Sequence, residues 1–313
     1  MKKITAFFQI IRWQNLVFIA IAQVLFHYCI LKPNLAVLNE QPKIKGAYLL
    51  LMIVASILIA AGGNIINDYF DLNIDKINKP HKLIIEKYIS RRYAIFLHLT
   101  TSLAGIMCSV YVAHKLNLFW LGIANTITVL VLFIYSASLK KKFLIGNIIV
   151  SALTAWVIMV LALPEYEVLL LDPFSKNEVY NKMFRLGILY ASFSFIISVI
   201  REVIKDMEDV EGDRRNGCKT MPIVLGLNAT KAFVAVWLIV IIALLVIAQI
   251  YVIRFKWWLS IGYSSIFLII PLSIVFKRLF AAQTPTSFHQ LSSIVKWIML
   301  AGIASMLFFK MYS

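Results

Sequence analysis

Nine stretches of roughly 20 mostly apolar residues, each long enough to cross a bilayer as a helix, fall near 13–31, 46–66, 93–113, 117–137, 144–163, 187–205, 231–253, 257–276 and 293–312. Inside hydrocarbon a backbone must satisfy its own hydrogen bonds, so segments of this length are helices. The pattern predicts an all-α integral membrane protein with nine transmembrane helices in one bundle, and a single domain over residues 1–313. The first stretch does not read as a cleavable leader: it is too long, it carries Gln23 and His27, and no small-residue cleavage site follows. A hydrophobic fraction of 61% with only 15% charged residues excludes an ordinary cytosolic enzyme and a disordered chain. Cys29, Cys108 and Cys218 are too few and too scattered for a disulfide framework or a zinc site.

The formal charge is +16. In a soluble protein that excess would suggest nucleic acid; between apolar runs it reads as a topology signal, and no nucleic-acid partner is expected. With the N-terminus inside, 21 of the 31 lysines and arginines fall on the inner side. The expectation is a cell inner-membrane protein, N-terminus in and C-terminus out. The longest outer segment, 164–186, holds Pro164 and Pro173 and is expected to be a structured loop or short interfacial helix. Gly62 and Gly63 are expected to let helices approach closely. His27, His98, His114 and His289 have no ligand spacing and read as bundle or interface residues; His81 lies in an inner loop.

The acids carry the functional information. Nine of the 15 fall in two windows: Asp68, Asp71 and Asp75, then Glu202, Asp206, Glu208, Asp209, Glu211 and Asp213. Both windows lie at inner-side helix ends, although acids played no part in setting the orientation. At 3.6 residues per turn Asn67, Asp71 and Asp75 share one stripe, with Asn64 and Asp68 inside the same arc of about 100°. Glu202, Asp206, Asp209 and Asp213 share an arc of about 60° if the helix runs that far, and Gly212 is a place where it can end. Glu208 and Glu211 point elsewhere and read as solvated.

Carboxylates in rows repel unless something positive holds them, and acids at membrane depth are costly when unpaired. Oxygen donors without histidine or cysteine suit a hard cation, and Mg2+ favours a few carboxylates, water and phosphate oxygens. The chemistry implied is a metal-bridged phosphate or diphosphate at the inner face, with the inner-side Lys79, Lys82, Lys140, Arg201 and Lys205 expected to neutralise the same anion.

Asn67-x-x-x-Asp71-x-x-x-Asp75 followed by Asn78-Lys79-Pro80, and Asp206-x-x-Asp209-x-x-x-Asp213, resemble the two aspartate-rich motifs of the UbiA-type membrane prenyltransferases. Tyr135-Ser136-x-x-Leu139-Lys140 with Gly146-Asn147, and Arg12-x-x-Asn15, resemble further family segments, in the family's order along nearly the whole chain. The resemblance implies nine helices around a central cavity. It implies Mg2+ held by Asp71, Asp75, Asp206, Asp209, Asp213 and Asn67, with Asp71, Asp75, Asp206 and Asp209 catalytic. Asn67, Asp68, Asn64, Lys82, Tyr135, Lys140, Arg201, Lys205, Asn15 and Arg12 are the expected substrate-binding residues. The implied partners are membrane lipid, a polyprenyl diphosphate donor and a lipophilic acceptor. The second motif most resembles the archaeal-type branch, which geranylgeranylates geranylgeranylglyceryl phosphate. One departure is visible: the family usually carries arginine where this chain has Lys79 and Lys82, so charge is kept and the forked geometry lost.

Two other functions compete. Prenylation of an aromatic acceptor in quinone biosynthesis would use the same motifs. A secondary transporter would place acids at mid-span and carry internal inverted repeats; these acids sit at helix ends, and no repeat is visible.

Overall fold

The computed structural model describes residues 3–171 and 178–312. Among them, nine helices are long and apolar enough to cross a membrane: Trp13–Ala36, Ala47–Asn78, Arg91–Lys115, Phe119–Ala137, Ile145–Tyr166, Glu178–Glu208, Gly226–Ile253, Trp258–Ala281 and Pro285–Met311. They are numbered below as spans one to nine. All the regular secondary structure described is helical, apart from one isolated bridge between Ile85 and Ile89.

Two helices outrun their apolar stretches. Span two continues past residue 66 to Asn78, which puts Asp68, Asp71 and Asp75 on the same rigid helix as the buried Ile65 and Ile66. The segment expected as a structured loop or short interfacial helix is mostly helix, formed by continuations of two spans: the fifth helix runs through Pro164 to Leu171, and the sixth begins at Glu178. A proline removes one backbone donor from a helix, and here it does not end it. Residues 172–177, including Pro173, lie outside the described residues.

The bundle turns apolar side chains outward as well as inward, as lipid permits. Phe96, Leu99, Leu103 and Met107 on span three, and Val236, Ile239, Ile247 and Ile250 on span seven, are exposed at helical spacing. Between helices, lipid supplies no hydrophobic drive, so close contact rests on small residues. Gly62 faces Ser102 and Thr101 of span three, Gly63 faces Leu132 of span four, and a Cβ on Gly105 would fall 2.8 Å from Ile59. Near the end of span two that carries the carboxylates, the helix Lys3–Ile10 and the loop at Ile85 and Ile89 bury Ala6 and Ile10 against Ala61, Ile65 and Leu72. This layer fixes Arg12, which adopts φ 53 between the surface helix and span one.

Candidate active site

A cavity of about 1020 Å³ opens inside the bundle. Its deep part is walled largely by apolar residues such as Leu132, Val157, Ile197 and Met299, with Ser56, Asn125, Thr128 and Thr154 among them; toward one end both carboxylate rows enter it. Asn15, Arg12, Asn64, Asn67, Asp68, Asp71, Asp75, Tyr135, Lys140, Arg201, Lys205, Asp206, Asp209 and Asp213 all line it. Of the residues expected from sequence, Lys82 alone is not placed: its side chain lies outside what the structure describes.

The first row occupies the last turns of span two, and each member is tied differently. Asn64 Nδ2 donates to the Ile11 carbonyl at 2.9 Å. Asp68 accepts from the Arg12 guanidinium at 2.7 Å. Asn67 Nδ2 donates to Asp71 Oδ2 at 2.7 Å, one turn apart, and Lys140 reaches over from the turn after span four to pair with Asp71 at 2.5 Å and donate to Asn67 Oδ1 at 3.1 Å. Among the described residues Asp75 has no cation partner.

The second row lies on span six and just beyond it. Arg201 and Lys205 pair with Glu202 at 2.9 and 2.8 Å. Asp206 accepts from Asn147 Nδ2 at 2.8 Å, and Asp209 pairs with Lys79 at 2.8 Å. The helix does not continue regularly to residue 213. It ends at Glu208, Asp209 takes φ −100 and ψ 9, and a short helix Val210–Arg215 follows. This break, three residues before Gly212, brings Asp213 back into the cavity rather than into a loop.

The rows are fastened to one another. Asn78 Nδ2 donates to the Asp209 carbonyl at 3.0 Å, and the Gly212 N–H donates to Asn78 Oδ1 at 2.8 Å. A Cβ on residue 212 would sit 2.5 Å from the Asn78 amide, so glycine is what lets this clamp close. Both rows therefore belong to one end of the bundle and face one volume.

The charge balance is close. Burial pushes the Asp213 carboxyl up to about 7, with the Asp209 and Asp71 charges adding to the shift. Burial also raises Asp209 against the pull of Lys79. Burial lowers Lys140, only partly offset by Asp71. For Lys79, burial acts downward, yet Asp209, Glu208 and Asp75 together raise it. Arg12 is held charged by Asp68.

These residues fit a hard divalent ion. Asp209 Oδ1 is buried without a partner, and among the described residues neither Asp75 nor Asp213 is paired with a cation, so oxygen lone pairs remain unused. Among the described residues no three Asp, Glu, His or Cys side chains already converge on one point. An ion here would need oxygens from water and phosphate to complete its shell, which is the habit of Mg2+.

Sequence reasoning left several participants unassigned. Glu202 pairs with both Arg201 and Lys205, Asn147 orients Asp206, and Asn78 joins the rows. Asn78 and Asn147 stood beside the motifs, but their partners lie 131 and 59 residues away. Glu208 corrects an expectation: it is not solvated but pairs with Lys79 at 3.4 Å and with His289 at 3.1 Å. Glu211 is exposed and pairs with Arg215, as a surface acid would.

The model of the UbiA prenyltransferase family matches residues 35–293. The chain belongs to that family. This UbiA-family protein is 34% identical over 206 residues to a digeranylgeranylglyceryl phosphate synthase of Thermococcus kodakarensis, covering 64% of this chain and 66% of that one, a little under two thirds of the relative's length. It is 30% identical over 252 residues to the synthase of that name from Methanosphaera stadtmanae, covering 80% of this chain and 83% of that one. Its fold matches a UbiA homolog from Archaeoglobus fulgidus, solved bound to GPP and Mg2+, with a TM-score of 0.57 at 14% identity over 96% of this chain and 99% of the other.

Proposed function

We propose that this protein transfers a prenyl group, best a geranylgeranyl group, from its diphosphate to geranylgeranylglyceryl phosphate, releasing diphosphate in a Mg2+-dependent reaction at the cytoplasmic side of the cell membrane. The whole chain acts as one catalytic unit. The observation that carries the reading is the pair of carboxylate rows, interleaved with lysine and arginine, around a cavity whose deeper walls are apolar. The archaeal synthases similar to it act under that name, and the solved homolog holds GPP with Mg2+.

Asp71, Asp75 and Asn67 on one side, and Asp206, Asp209 and Asp213 on the other, are the residues that would hold the metal. When bound, Mg2+ offsets the negative charge that builds on the departing diphosphate. The chain's own cations would act on the same charge: Lys140, Lys79 and Arg12 lie along the rows, each paired with a carboxylate. The bond from C1 to oxygen breaks with its electrons leaving on the diphosphate. The acceptor hydroxyl oxygen then bonds to C1 and gives up its proton. Apolar walls shield the allylic cation from water, and they give a lipid-soluble tail a place to lie. Acids at the ends of spans two and six, rather than at their middles, speak against a transporter.

The test is purified protein in detergent with labelled geranylgeranyl diphosphate, Mg2+ and a panel of acceptors. Diphosphate release coupled to a doubly alkylated glycerol phosphate is expected. No release with any donor length or acceptor would overturn the reading.

A further inference from the structure

Seven lysines and arginines line the cavity: Arg12, Lys79, Lys140, Lys141, Arg201, Lys205 and Lys296. Five are paired with carboxylates. Lys141 stands at the mouth, in the turn after span four. Lys296 is different, because it projects from within span nine and has no carboxylate partner among the described residues. A charge within a membrane span is costly, and its presence asks for a function. Its ammonium donates to Gln14 Oε1 at 3.0 Å and lies 5.5 Å from the centre of the Phe18 ring, both on span one. An ammonium has three donors, so two remain for a ligand.

Lys296 lies deeper than the rim ends of the two rows, at the level of Arg12 and Asp68, since its partner Gln14 stands two residues after Arg12. His289, on the same helix, touches Glu208 beside Asp209 at the rim. Seven residues of helix carry Lys296 about 10 Å deeper. Arg201 lies eight residues before Asp209, so it sits at a similar depth, about 12 Å from it along the chain's helical rise. Its Nε is buried without a partner, although its other end pairs with Glu202. Lys296, Gln14 and the Arg201 Nε thus offer donors with no anion assigned to them, while the rim rows already account for a diphosphate.

We propose that Lys296, with Gln14 and Arg201, binds the phosphomonoester of the acceptor. This rests on the transfer reading above. The ligand class is an amphiphile with a terminal phosphate and a free hydroxyl a few bonds away. A glycerol phosphate has that form: its hydroxyl can reach toward the carbon bound to the rim diphosphate while its own phosphate stays deeper, at Lys296. An aromatic acceptor without phosphate would leave these donors empty.

The experiment measures binding calorimetrically in detergent, without donor. The probes are a monoalkylglycerol phosphate, the same monoalkylglycerol without phosphate, and phosphatidic acid. A charge-assisted contact of about 1.5–3 kcal/mol corresponds to about tenfold or more in affinity. Wild type is expected to prefer the phosphorylated over the unphosphorylated monoalkyl probe by about that factor. Lys296→Met should bring the ratio close to one while the unphosphorylated probe still binds, which reports an intact fold; Lys296→Arg should retain most of the preference. A ratio near one in the wild type, or an unchanged ratio in Lys296→Met, would overturn the inference. So would phosphatidic acid competing as strongly as the monoalkyl probe, since the site would then hold a bilayer headgroup. Turnover on unphosphorylated acceptors with a ratio near one leaves the transfer reading standing and removes this one; a high ratio without turnover does the reverse.

Discussion

Asp213→Asn should make the metal-free protein more stable at pH 8, not less. Asp213 is only 9% exposed, and its carboxyl is pushed from 3.8 to about 7 by burial and by the neighbouring Asp209 and Asp71 charges. A folded-state value above the unfolded one means stability that is complete below about pH 4 and lost as pH rises toward 7. About three units at 1.36 kcal/mol each gives a ceiling of about 4 kcal/mol, of which about 3 is lost between pH 5 and 8. Asparagine keeps the shape and removes that penalty. Thermal unfolding in detergent with chelator should therefore give the variant a Tm higher by several degrees at pH 8, with the gap narrowing toward pH 5. Adding Mg2+ should raise the wild type more than the variant and close or reverse the gap, because the ion needs the carboxylate that the variant lacks. A variant that melts at or below the wild-type temperature at pH 8 in chelator, or equal gains from Mg2+ in both proteins, would refute the reasoning.

Asp71→Asn and Asp206→Asn should each abolish turnover while the protein elutes as a monodisperse peak in detergent; near-normal rates in both would remove the metal assignment. Lys140→Met takes away the partner of Asp71 and a donor to Asn67, and should raise the KM for the donor by about tenfold or more, with Lys140→Arg restoring part of it. Asn78→Ala cuts both of its hydrogen bonds to the second row and should cost roughly 1–3 kcal/mol, seen as a lower Tm in chelator and a higher Mg2+ requirement. Gly212→Ala pushes on the same amide, so the double variant should be no worse than the poorer single one.

The spans could be read from sequence because lipid imposes a length and a polarity on each helix, whatever it packs against. The carboxylate rows could be read because helical periodicity alone puts residues 67, 71 and 75 on one stripe. The sites of partners could not. Glu202 and Asn147 are explained only by Arg201, Lys205 and Asp206 in three dimensions, and Glu208 becomes part of the network only because span nine brings His289 to it. The continuation of the fifth helix past residue 163 could not be read because a proline removes only one backbone donor and does not by itself end a helix. The true break, at Asp209, has no glycine or proline of its own; it is set by Asn78 gripping the chain from another helix.

The pairing of Asp68, Asp71 and Asp209 with Arg12, Lys140 and Lys79 makes the resting site its own counterion store. A divalent ion taking one of these carboxylates would displace an ammonium or guanidinium, which is then free to grip an anion. Binding of a divalent ion and of an anion at this site would then be coupled, each favouring the other.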